Sequence, residues 1–179
     1  MSYIISAGGG GTSDTETLTV IASNSQTINA NNTTVALPLW TITGVIAIYG
    51  LFGVVTTALS SNITAAYWRL NDGTTQTSIS LATGTILSNY RVNSLLYRTS
   101  AASSALSATN ANSAAASIVN GANVEWSLLN AGTLTAKSGN TCNIEFVYST
   151  TNTPASGAIT FYLRYKALSG VLGGTVVAV

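Results

Sequence analysis

The chain has 179 residues, 46% of them hydrophobic and only 6% charged, with five acidic residues, six basic residues and no histidine. Typical globular chains are about 25% charged, so a net charge of +1 sets up no field to recruit nucleic acid or acidic lipid and little repulsion between copies. The length fits one domain with a real core, and the single cysteine, Cys142, rules out an intrachain disulfide or a cysteine metal cluster and points to folding in a reducing cytoplasm.

Residues 1–13 read as a flexible arm ahead of a single β-sandwich domain, 14–179. The first residues have no basic region and a short apolar run, so they do not form a secretion signal. Tyr3, Ile4 and Ile5 are candidates to dock on a neighbour, and Gly8–Gly11 is a linker; a frayed end is the alternative. Leu18–Ala22 and Ser25–Asn29 are short strand candidates, and Asn29–Thr34 is a turn-rich loop.

No charged residue occurs from Thr17 to Trp68. Within that stretch Leu37–Leu59, LPLWTITGVIAIYGLFGVVTTAL, is long enough to span a bilayer as a helix. Its sequence argues for strands instead. Pro38, Gly44, Gly50 and Gly53 interrupt it, no Lys or Arg flanks it, and Tyr49 and Phe52 fall in its middle rather than at the interfaces. Trp40, Ile42, Ile46 and Ile48 share one parity; Thr41, Thr43, Val45, Ala47 and Tyr49 share the other, a period of two. The expectation is two strands joined at Gly50–Gly53, or one strand bent there by a bulge. Apolar residues on both faces call for cover on both: the core on one side, loops or a sister subunit on the other. Val45 and Ala47 mark that second face.

Ala65–Leu70 and Thr75–Leu81 flank Asn71-Asp72-Gly73, a hairpin signal. Ile86–Tyr97 is a mixed segment of strand and loop, and Ala101–Ala116 has no apolar face to bury and reads as loop with a helical turn. Val124–Leu128, Leu134–Lys137, Ile144–Tyr148, Ile159–Lys166 and Val171–Val179 complete the strands. About eight to ten strands with minimal helix specify an all-β, antiparallel sandwich or barrel.

Groups for catalysis are scarce. Without histidine there is no imidazole-based triad or zinc site. Cys142 shares the parity of Ile144 and Phe146 and is expected in the core. Asp72 has a backbone reason to occupy a turn. Glu125 and Glu145 are conceivable as a glycosidase pair, but they read better as solvent-facing residues that discourage strand pairing. Trp40, Trp68 and Trp126 lie in apolar alternating runs and are expected in the core rather than on sugars. Tyr162, Arg164 and Lys166 share one face, suited to a partner-binding surface. No cofactor or metal is expected, and an enzyme is the weakest reading.

The runs WTITGVIAIYGLFGVVTT, NDGTTQTSISLATG and TTNTPASGAITFYLRYKALSG together resemble small β-sandwich virion proteins of tailed bacteriophages, of the capsid decoration or cement type. The shared features are an I-T-G strand (Ile42–Gly44) before a G-x-V-T-T strand (Gly53–Thr57), and a turn with Thr151, Pro154, Gly157 and Ile159 leading to Ala167-Leu168. The resemblance covers about residues 37–170. It implies a jelly-roll-like sandwich, a homotrimer or similar symmetric oligomer, and a place in the virion, assembled in the host cytoplasm. It carries no catalytic residues. The expected partners are further copies of the chain and the major capsid protein or other virion subunits, with neither nucleic acid nor membrane. The alternative function is a tail-fibre or spike module that recognises host glycans.

Overall fold

Twelve strands build two antiparallel sheets in the computed structural model, which describes residues 18–22, 26–43, 45–60, 63–80, 82, 87, 90–98, 106–109, 134–135, 142–151, 155–167 and 175–179. The strands are β1 (Leu18–Ala22), β2 (Gln26–Thr27), β3 (Thr34–Thr43), β4 (Val45–Thr57), β5 (Ile63–Asn71), β6 (Gln76–Ser78), β7 (Leu95–Arg98), β8 (Leu106–Thr109), β9 (Leu134–Thr135), β10 (Cys142–Thr150), β11 (Ala158–Ala167) and β12 (Thr175–Ala178). One sheet runs β1-β11-β4-β7-β8, with β2 on β11 and β9 on β4; the other runs β12-β3-β10-β5-β6. The fold is an all-β sandwich, and no helix occurs among the described residues. The count exceeds the eight to ten strands expected because β2, β6 and β9 are pieces of two or three residues.

The long strands pair in nested fashion. β3 pairs with β12, β4 with β11 and β5 with β10, all antiparallel. This is the pairing of a ribbon folded over on itself. Successive strands β3, β4 and β5 alternate between the sheets, so the uncharged stretch is drawn across the core and back.

Leu37–Leu59 therefore contributes to both sheets, and no described helix is long and apolar enough to cross a membrane. The strand boundary falls between Thr43 and Val45 rather than at Gly50–Gly53. Of the two expectations for the glycines the bent strand holds, since β4 continues through both of them with a bulge next to Gly50. Tyr165 pairs with Ile48 and Arg164 with Gly50, so Tyr49 is an extra residue, a bulge. Ile46 and Ile48 are buried before it; Leu51, Gly53 and Val55 are buried after it. The bulge reverses the parity and keeps an apolar side chain on the core face throughout. β3 does the same. Ile144 pairs with Trp40 and Glu145 with Pro38, so Leu39 is extra, and Leu39 and Trp40 are both fully buried. Pro38 has no N–H to donate, which the irregular ladder tolerates.

The core is cross-linked by aromatic rings. Phe146 on β10 lies 4.9 Å from Phe161 on β11, across the gap between the sheets, and packs on Tyr148 and Trp68 within its own sheet. Such contacts add about 0.5–1.5 kcal/mol per pair beyond burial. Trp40 and Trp68 are buried as expected; Trp126 lies outside the described residues. Gly53 sits opposite Phe161. A Cβ there would lie 2.9 Å from Ile159 and 3.1 Å from the Phe161 ring, so glycine makes room for the ring.

The Asp72 turn is as expected. β5 and β6 form a hairpin, and Asp72 Oδ1 accepts from the backbone N–H groups of Thr74 and Thr75. Two expectations change. β8 lies inside the Ala/Ser-rich run read as loop with a helical turn, because the backbone of β7 offers it a ladder; pairing of this kind needs no apolar side chain. Cys142 is only partly buried, at the end of β10 opposite Ile42. The arm (1–13) and Val124–Leu128 lie outside the described residues.

Candidate interaction surface

Period two on β11 turns Ile159, Phe161 and Leu163 into the core and leaves Tyr162 and Arg164 half-buried on the outer face of the larger sheet. The register joins two surfaces that the sequence presents separately. Tyr162 pairs with Phe52, Arg164 with Gly50 and Lys166 with Ala47. Residues directly opposite on antiparallel strands share a face, so the position of Ala47 and those of Tyr162, Arg164 and Lys166 fall on alternate rungs of one face of β4 and β11. Val45 pairs with Thr135 on β9. The side chains of Val45, Ala47 and Lys166 lie outside the described residues, as do Tyr3, Ile4 and Ile5 altogether.

Phe52 and Tyr162 are stacked, with ring centroids 5.0 Å apart and planes 14° from parallel. Both are half-buried, as is Val54 two residues along β4. Phe52 is not a partner-binding candidate on sequence alone; its partnership depends on the β4–β11 register, which the bulge at Tyr49 sets. The result is an outward aromatic and aliphatic strip with one guanidinium beside it. It can supply apolar area, a flat stacking surface and a cation, the chemistry of interface centres. Among the described residues it holds no carboxylate or thiol for proton or group transfer.

The outer face of the smaller sheet carries a polar tie. Glu145 is buried, which corrects its reading as a solvent-facing guard: β10 is the middle strand of five, not an edge. Arg69 Nε donates to Glu145 Oε2 at 2.6 Å and Asn71 Nδ2 donates to Oε1 at 2.9 Å. Arg69 also donates to Gln76 Oε1, and Thr41 Oγ1 donates to Asn143 Oδ1. With both oxygens occupied, Glu145 serves as a brace between β10, β5 and β6. Glu125, its conceived partner, lies outside the described residues. Among the described residues no cluster of His, Cys, Asp and Glu could hold a metal ion.

Burial pushes the Cys142 thiol up, a hydrogen bond with the Asn71 backbone lowers it, and the charges of Asp72 and Glu145 raise it further. This holds the thiol in its unreactive form. Burial likewise raises the Tyr148 phenol. Neither group is set up as a nucleophile or base. No protein-family model, curated protein or solved structure matches the chain.

Proposed function

We propose that this chain is a structural virion protein of a tailed bacteriophage that decorates or cements the capsid shell as a symmetric oligomer. The observation that carries the assembly part of this reading is the half-buried strip of Phe52, Val54, Tyr162 and Arg164 on the outer face of the larger sheet. The virion part rests on the sequence resemblance. A strip of this kind gains most by being covered, and covering it at junctions between shell subunits stabilises the assembled state by mass action. The low charge removes the repulsion that would oppose contact between copies.

The test is stoichiometry. Copy number in purified particles, read against the major shell protein, is expected in the hundreds, and purified chain is expected to bind expanded empty shells. A few copies per particle, or no shell binding, overturns the reading. The stacked Phe52–Tyr162 pair also favours the alternative, a glycan-binding tail-fibre module. Low copy number with a positive glycan array would select that alternative.

A further inference from the structure

β12 is an edge strand of the smaller sheet and pairs only with β3 among the described residues. Its partner on one side is well defined. Thr175, Val176, Val177 and Ala178 face Thr43, Ile42, Thr41 and Trp40, and the Val179 N–H donates to the Leu39 carbonyl. In an antiparallel ladder, hydrogen-bonded pairs alternate with non-bonded pairs. Since Val179 bonds to β3, Val177 and Thr175 do too, and the N–H and C=O groups of Val176 and Ala178 point away from β3. No described residue meets them.

Short as it is, at four residues, this edge lacks the other usual safeguards. Natural edges carry a charge, a proline or a bulge, or are very short. The opposite edge, β6, is three residues long, polar and exposed. β12 reads Thr-Val-Val-Ala, without charge or proline. Val177 is 62% exposed and Val179 53% exposed, the largest exposures among the described large hydrophobic residues. Outward backbone groups beside exposed valines are the chemistry that recognises another β-strand.

We propose that the occupant is β12 of a second copy of this chain, added antiparallel about a twofold axis through Val177. Of the antiparallel registers, this one pairs both outward residues of each copy within β12. Val176 and Ala178 of one copy exchange hydrogen bonds with Ala178 and Val176 of the other, and the two Val177 residues form the non-bonded pair at the centre. There the Cα atoms lie on the order of 4.5 Å apart, and the exposed valine side chains cover each other. Neither β12 nor β3 contains a charged residue, so the copies meet without like-charge repulsion, and the edge offers nothing to a charged partner. A twofold contact closes on itself rather than propagating. It is distinct from any threefold contact of the trimer that the resemblance implies. The inference deepens the assembly reading by naming a contact, and it stands or falls separately from the virion assignment.

The test compares the full chain with Ala178→Pro by light scattering and sedimentation. Proline at 178 removes an N–H that points away from β3, so the fold keeps its ladder bonds while the edge is blocked. The expected result is that Ala178→Pro halves the assembly mass, with a loss of roughly tenfold or more in affinity between halves. Equal masses for the two proteins overturn the inference. If Ala178→Pro fails to fold by circular dichroism, Val177→Cys in a Cys142→Ser background decides. A disulfide-linked dimer on a non-reducing gel is expected, since the central pair lies within disulfide reach; its absence under oxidation overturns the contact. A twofold dimer that fails to bind shells would remove the virion reading and leave this contact standing. Shell binding with unchanged mass in Ala178→Pro would do the reverse.

Discussion

Arg69 and Glu145 show how a charge-poor chain uses the few charges it has. Glu145 is buried with Arg69 on one oxygen and Asn71 on the other. Removing the arginine leaves a carboxylate short of a counter-charge in a shielded position. Breaking a fully buried pair costs about 3–5 kcal/mol; with the Arg69 side chain 16% exposed, Arg69→Ala is expected to cost about 2–3 kcal/mol. The double variant Arg69→Ala/Glu145→Ala should be less destabilised than Arg69→Ala alone. Urea denaturation of the set decides, and a single-variant loss below about 0.5 kcal/mol would show that the tie carries no strength. Cys142 and Tyr148 predict an alkaline limit. Burial raises both above their ordinary values, so as pH climbs the unfolded chain loses these protons first. Their contribution is complete below the unfolded thiol value of about 8.5 and is lost as pH rises through the unfolded and then the folded values. The urea midpoint is expected to be flat near neutrality and to fall above about pH 9, with Cys142→Ser removing the earlier part of the fall. A midpoint constant to pH 10.5 or so would contradict this.

At the scale of the element, bulges decide which residues meet the core. β3 changes parity at Leu39, β4 at Tyr49, and β5 around Thr64, where Ser149 pairs with Ala65 and Thr150 with Ile63. Buried positions follow the change: Ile63, then Ala66 and Trp68. A bulge is one residue of sequence with the effect of a half-turn of the strand. Deleting Tyr49 is therefore expected to turn either Ile46 and Ile48 or Leu51 and Val55 out of the core and to abolish cooperative unfolding. A deletion variant that melts like the parent would show that the bulge is dispensable. Gly157, at φ +133°, ends the turn into β11; a Cβ there would lie 2.7 Å from Leu59 and 2.8 Å from the Ala58 carbonyl. Its left-handed backbone and lack of space make glycine a requirement at that point.

For the whole molecule, the proposed assembly rests on the outer face of the larger sheet. Ala47 stands opposite Lys166, two rungs from the Arg164 level and beyond it the Phe52–Tyr162 stack. Ala47→Glu is expected to weaken self-association by about tenfold or more while shifting the melting temperature of the separated chain little. Analytical ultracentrifugation beside a thermal melt separates the two effects. A variant that stays fully associated would place the contact between copies elsewhere.

The sequence alone determined the class of this protein. The period-two runs in β3, β10 and β11, the turn at Asp72 and the interruptions within Leu37–Leu59 specify strands rather than a membrane helix, because alternation and turn chemistry are local properties of neighbouring residues. The same local patterns marked Trp40, Trp68 and Phe146 as core and Tyr162 and Arg164 as one face. Only the tertiary structure decided where the uncharged stretch divides, that Glu145 lies in a buried tie and that Phe52 stacks on Tyr162. It also decided that an alanine- and serine-rich run supplies β8. Each of these depends on which strand lies alongside and in what register. Bulges set that register over distances of about a hundred residues of chain, and a backbone ladder leaves no mark on the side chains that form it.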